Sequence, residues 1–202
     1  MGLCLRDNLS DSFLIDVYWD EELLCSVYKK LFLKELSALA STPSRQEFLQ
    51  VFALLETKLA KRTVVHVLAK KGYLSQELQK KLTAKGFSKA AIEHAIAFGQ
   101  SGGFIDDEQE LKRVIRSELR KGRGSQAILF KLKQKRVPEE QLHLLREEIL
   151  KGEKQALEDW MRKRGISKDV SDRKQRQKLY AQLMRRGFSS EAIRSVLNDD
   201  WH

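Results

Sequence analysis

The stretch LTAKGFSKAAI, Leu82–Ile92, decides how this chain is read, because it comes back twice. It returns as LKQKRVPEEQL at Leu132–Leu142 and as LMRRGFSSEAI at Leu183–Ile193. Apolar residues hold the first, sixth and last places each time, and basic residues precede the middle one. The first copy reads as helix, corner, helix. Gly86 is the left-handed residue that ends one helix, and Phe87 after it meets Leu82 as in a Schellman ending. Ser88 is the next N-cap, with Phe87 and Ile92 forming a hydrophobic staple. Gly187, Phe188, Ser189 and Ile193 repeat every part. The middle copy puts Arg136 in the glycine place, where a left-handed backbone costs it about 1 kcal/mol. Pro138, Glu139 and Glu140 still suit a first helical turn.

The pattern extends upstream. Gly72 and Gly122 each precede their corner by the same interval, and Ser75 and Ser125 stand at matching N-cap places. In the third copy Gly165 lies farther back, so a turn or two of helix is inserted. The spacing predicts a mainly α fold of three tandem three-helix repeats at 43–104, 105–152 and 153–202. Stacked in sequence, such units bury one another's faces and form an elongated curved body. The first long helix starts at Ser44, where Glu47 completes a capping box. Phe48, Val51, Phe52, Leu55 and Leu59 then mark one apolar stripe, expected to run on through Val64, Val65 and Leu68 to Gly72.

Residues 1–42 differ. In FLIDVYWDEELLCSVYKK, Phe13, Ile15, Val17 and Trp19 alternate with Leu14, Asp16 and Tyr18, a strand period. The expectation is a short β-hairpin at 13–29 that caps the helices or docks a partner. One amphipathic helix over 20–33 is the alternative.

Composition supports a folded helical protein. The 202 residues are 42% hydrophobic and 33% charged and include only 2 prolines. The formal net charge is +10, unevenly spread. Residues 1–59 hold 6 Lys/Arg against 9 Asp/Glu, net −3, while residues 60–202 hold 32 against 19, net +13. A basic body beside a mildly acidic segment points to a polyanionic partner. Cys4 and Cys25 lack disulfide or metal spacing and read as reduced thiols. No signal peptide, acylation motif or membrane span is legible, so the expected compartment is the cytoplasm.

Enzyme chemistry finds little footing. Asp106–Asp107, with Glu108 and Glu110, could hold Mg²⁺, but Asp106 reads better as the N-cap of a helix striped by Leu111, Val114, Ile115 and Leu119. His66, His94, His143 and His202 are scattered, and His66 reads as packed or half-exposed. Gly122-Arg123-Gly124 lacks the P-loop flank. It serves a tight turn or, alternatively, a backbone nest for phosphate. Trp160, Tyr73 and Trp201 read as packing. The expectation is no enzyme, no cofactor and no metal.

The candidate binding residues are the basic clusters at helix ends: Lys70, Lys71, Lys80 and Lys81; Arg120, Lys121 and Arg123; Lys133, Lys135 and Arg136; Arg162, Lys163 and Arg164; Arg185 and Arg186. Each offsets a helix dipole, but their recurrence would line up a basic ribbon if the units stack in register.

LSQELQKKLTAKGFSKAAIEHAI (74–96), then GFIDDEQELKRVIRSELRKGRGSQAILFKLKQKRV (103–137), then LMRRGFSSEAIRSVL (183–197), resembles the RecX regulatory family over roughly Leu55–Leu197. The likeness lies in the KGF corner, the aromatic-x-Asp-Asp start of the next unit and the K-G-x-G before the following helix. Arg136 and the insertion after Gly165 depart from it. The resemblance implies a cytoplasmic modulator of the RecA recombinase; the chain is expected, separately, to act as a monomer. It would lie in the groove of the RecA–DNA filament and usually inhibit ATP hydrolysis, strand exchange and co-protease activity, within homologous recombination, DNA repair and the SOS response. Single- or double-stranded DNA would be a further partner, and no membrane. From the residues alone, a basic nucleic-acid-binding protein acting without a recombinase, or an adaptor docked through its N-terminal segment, stays open.

Overall fold

A computed structural model describes residues 2–168, 170 and 172–197; Trp201 and His202 lie outside them. Three strands, β1 (Leu3–Asp7), β2 (Leu14–Trp19) and β3 (Glu22–Tyr28), form an antiparallel sheet in the order β1-β2-β3. Nine helices follow among the described residues: α1 (Lys29–Ser37), α2 (Arg45–Leu68), α3 (Ser75–Thr83), α4 (Lys89–Ser101), α5 (Asp107–Arg120), α6 (Ser125–Gln134), α7 (Glu139–Arg162), α8 (Arg173–Arg185) and α9 (Ser190–Leu197). They gather into two compact units, 1–107 and 108–202.

In the first unit the expected hairpin forms, turning at Asp20 and Glu21, with a bulge where Val17 pairs Cys25 and Tyr18 pairs Leu23. The helix alternative over 20–33 does not form, since helix begins only at Lys29. Ile15, Val17 and Trp19 turn inward and are buried, whereas Phe13 at the strand entry is exposed. They share one core with Val27, Phe32, Phe48, Leu59, Leu82 and Phe87. The sheet is thus part of the first helical unit's core. Strand β1, which pairs along β2 from Leu3↔Trp19 to Asp7↔Ile15, was not expected.

The corner adjoins this sheet. Gly86 has φ +77°, and a Cβ there would lie 2.1 Å from the carbonyl oxygen of Ser26. The Tyr28 N–H donates to the Lys85 carbonyl at 3.1 Å. Glycine is required twice over, for its dihedral and for the strand crossing it.

All three corners share one hydrogen-bond pattern. The N–H groups of Phe87, Val137 and Phe188 donate to the carbonyls of Leu82, Leu132 and Leu183 at 3.3, 3.1 and 3.2 Å. Those of Gly86, Arg136 and Gly187 donate to Thr83, Lys133 and Met184 at 2.9, 2.8 and 2.9 Å. This is the Schellman ending. Arg136 holds φ +62°, as its place demands. Arg136→Gly is therefore expected to raise stability by about 1 kcal/mol. The check is the urea midpoint, and an unchanged or lower midpoint would show that the strain is absent.

One expectation of local detail is corrected. Ser75 and Ser125 are the first residues inside α3 and α6, and the N-caps are Leu74 and Gly124. A serine hydroxyl is not needed there because distant carboxylates hold the N–H groups: Asp107 accepts from Ser75 at 2.7 Å and Glu153 from Ser125 at 2.7 Å. Helix α7 runs unbroken through residues 152 and 153. At Gly152, inside that helix, a Cβ would stand 2.7 Å from Cδ1 of Leu119.

A candidate basic groove on the second helical unit

Helix α5 is strongly amphipathic. Its apolar stripe of Leu111, Val114 and Ile115 is buried. The opposite stripe places Arg113, Arg116 and Arg120 at i, i+3 and i+7, on one side of the helix. Where Leu119 meets Gly152 the two helices touch. Alongside runs a groove of about 560 Å³ lined by Arg113, Arg116, Leu119 and Arg120 from α5, by Gly152, Gln155, Ala156 and Asp159 from α7, and by Lys163 just beyond it.

Its charges are only partly compensated. Arg113 grips the buried carboxylate of Glu110 with two bonds, 2.6 and 2.7 Å. Asp159 accepts from Arg162 at 2.6 Å and from the Gln155 amide at 3.0 Å. Arg120 makes no ion pair among the described residues. The groove can hold an anion by guanidinium hydrogen bonds, which are the strongest available to a carboxylate or phosphate.

The expected basic residues separate into distinct fates. Only Arg120 and Lys163 enter the groove. Lys121 instead joins Lys131 on Glu118, each at 2.8 Å. Burial raises the Glu118 pKa, but the hydrogen bonds from the two lysines outweigh it and hold that carboxyl below its usual range. Around Trp160, buried at 3% exposure, Arg164 and Arg186 each place Cζ 4.5 Å from the ring centroid. Arg186 also donates to the Gly122 carbonyl at 3.0 Å. Burial, then the neighbouring charges of Arg164 and Arg123, hold the Arg186 guanidinium below its usual pKa. Arg164 and Arg186 thus meet about one indole, with Arg123 near enough to Arg186 to act on its charge, while Arg185 stays exposed. Lys133 pairs with Glu139 at 3.0 Å, and Arg162 with Asp159 at 2.6 Å. Lys135 is half-buried and Arg136 exposed at the middle corner. In the first unit, Lys71 and Lys81 lie over Tyr73, 4.5 and 5.1 Å from its centroid, with Lys70 and Lys80 exposed beside them.

Other readings are settled by hydrogen bonds. The phosphate nest at Gly122–Gly124 is ruled out, because every N–H from Gly122 to Gln126 is already donated. Their acceptors are Leu119, Glu118, Arg186, the Glu153 side chain and Gly187, in that order. The Asp107 carboxylate is engaged with Ser75. His66 is exposed on α2, not packed. Cys4 and Cys25 are unpaired thiols, and burial, with Glu56 and Asp16 nearby, pushes Cys25 up to about 11. No helix among the described residues is long and apolar enough to cross a membrane.

Sequence reading missed Arg113, Arg116, Gln155 and Asp159. For the two arginines the signal is the i, i+3, i+7 cation spacing of α5.

Helices joined by recurrent Schellman corners, with a small sheet in the first unit and a cation-lined groove in the second, make this a mainly helical protein. The model of the RecX third three-helix domain matches residues 153–197. Regulatory protein RecX of Vibrio vulnificus is 33% identical over 150 residues, 69% of this chain and 92% of the relative. That of Vibrio parahaemolyticus is 30% identical over 152 residues, covering 70% and 92%. Two crystal structures share the fold: one of regulatory protein RecX (TM-score 0.58, 16% identity, 98% of this chain and 99% of that one) and one of RecX from Lactobacillus salivarius (0.59, 18%, 71% and 95%). The chain belongs to the RecX family of regulatory proteins.

Proposed function

We propose that this protein regulates the RecA recombinase by binding the RecA–DNA filament in the cytoplasm as a monomer. In this reading it damps ATP hydrolysis, strand exchange and co-protease activity without chemistry of its own. The observation that carries this is the identity to regulatory protein RecX across 92% of the relative's length. The site supports it: a cation-lined groove and a set of arginine elbows lie within one unit, suited to a filament made of both protein and phosphate. A second reading, nucleic acid binding without the recombinase, draws on the guanidinium groups around Trp160. Phosphate contacts release counterions, so affinity under that reading falls steeply with salt.

The test is the single-stranded-DNA-dependent ATPase of RecA with stoichiometric protein. Unmodified protein is expected to change the rate. Arg120→Glu with Arg123→Glu is expected to weaken that effect about tenfold, roughly 1.4 kcal/mol of binding, with helicity by circular dichroism unchanged. Lys121 is left intact because a carboxylate there would face the buried Glu118. No rate change with unmodified protein, and no co-sedimentation with filaments, would sink the proposal. Tight binding to bare DNA that RecA does not improve would favour the second reading.

A further inference from the structure

We propose that the groove between α5 and α7 takes an acidic polypeptide segment that also carries an apolar side chain. It is then the protein-facing part of the regulator. This rests on the filament-binding reading above and assigns a partner class to one of its surfaces.

The walls are unequal. On the α5 side, Arg113, Arg116 and Arg120 span about 10 Å at 1.5 Å per residue. On the other side Lys163 closes one end, but Asp159 and Gln155 stand between. The floor is apolar, built from Leu119 and Ala156. A sugar–phosphate strand fits this poorly. Single-strand sites place aromatic rings under the bases, and none of the lining residues is aromatic. Asp159 opposes any anion that enters and Glu110 already neutralises Arg113, so Arg116 and Arg120 carry what attraction the groove has. An acidic peptide with an apolar side chain fits the apolar floor and these two guanidinium groups. Guanidinium forks take its carboxylates in pairs. The floor receives an apolar side chain, removing it from water. The Asp159 carboxylate can accept from a peptide N–H, a donor that a phosphodiester lacks. The arginines around Trp160 lie on a different surface feature, with an indole at its centre, and are not part of this assignment.

The experiment measures fluorescence anisotropy on the full chain with three labelled probes. These are a short alternating Glu–Leu peptide, the same peptide with Asn for Leu, and oligothymidylate. The expected result is that the Glu–Leu peptide binds and that its Asn counterpart binds at least about tenfold more weakly. Arg116→Gln with Arg120→Gln should weaken the Glu–Leu peptide at least about tenfold. Lys34→Gln with Lys178→Gln, an equal charge change elsewhere, should leave it within about twofold. Equal binding of the two peptides, or no binding, overturns the proposal. So does a groove variant that loses oligothymidylate tenfold and the peptide no more than the control does, because the groove would then be a DNA contact. RecA ATPase is read in parallel. Modulation by a chain that takes neither peptide sinks the groove assignment and leaves the filament reading standing. Peptide capture through the groove without modulation does the opposite.

Discussion

Glu153→Ala is expected to destabilise the protein by about 4 kcal/mol, a large part of the roughly 5–15 kcal/mol that holds a domain of this kind. Glu153 is 1% exposed in the middle of α7. One oxygen accepts from the N–H groups of Ser125 and Ser189 at 2.7 and 2.9 Å, and the other from the Ser189 hydroxyl at 2.7 Å. The two N–H groups belong to helix starts, where the backbone has no partner of its own. One carboxylate therefore satisfies the first turns of both α6 and α9. Alanine leaves a buried donor at Ser125, itself 3% exposed. Bonds to a charged acceptor contribute about 1.5–3 kcal/mol each, less whatever water recovers in the space vacated. Glu153→Gln should cost about half as much, since an amide oxygen can still take two N–H groups and the serine hydroxyl can turn to accept. Urea titration with an unchanged m-value is the measurement. A loss below about 1 kcal/mol would mean that the carboxylate does not tie the two helices. Glu56 makes the smaller version in the first unit, where among the described residues it serves Ser88 alone, through its N–H and its hydroxyl. Ser88 is exposed, so its loss should be milder.

These two glutamates show where sequence reading stops. The corners were legible because everything that makes them lies within eleven residues: the left-handed place, the apolar contact and the next N-cap. The hairpin was legible because β2 alternates cleanly. Glu56 and Glu153 were not. Each sits mid-helix, looking like any solvated acid, and its partners are tens of residues away. Strand β1 was missed because Leu3 and Leu5 alone make a weak alternation, and its pairing with β2 supplies the rest. The basic residues were found as a set, but their fates depend on what each helix end meets. Lys121 meets a buried carboxylate, Arg186 an indole, and Arg120 an open groove. Nothing in the spacing separates a cation bound to its own protein from one left for a partner.

Gly124→Ala carries the second large effect, and here conformation is innocent. Gly124 has φ −81° and ψ 171°, an extended geometry open to any residue. In such a place alanine would ordinarily stabilise by about 0.4–1 kcal/mol through the unfolded chain. The obstacle is space: a Cβ would stand 2.1 Å from the Phe188 nitrogen and 2.2 Å from the Gly187 carbonyl carbon and oxygen. Backbone cannot swing aside as a side-chain tip can. The start of α6 must back away from the corner, breaking the bonds from Gly124 N–H to Arg186 at 3.0 Å and from Gln126 N–H to Gly187 at 2.9 Å. The expected net loss is about 3 kcal/mol. Arg186 should loosen as well, since it reaches the Gly122 carbonyl across the same contact. Gly165→Ala is the control. It has φ +64° and nothing within 4 Å of a Cβ, so only the dihedral opposes it, at about 1 kcal/mol. If Gly124→Ala costs no more than Gly165→Ala in the same urea titration, the corner and the start of α6 do not meet backbone to backbone in solution. The arginines gathered around Trp160 would then lose the support that holds them together.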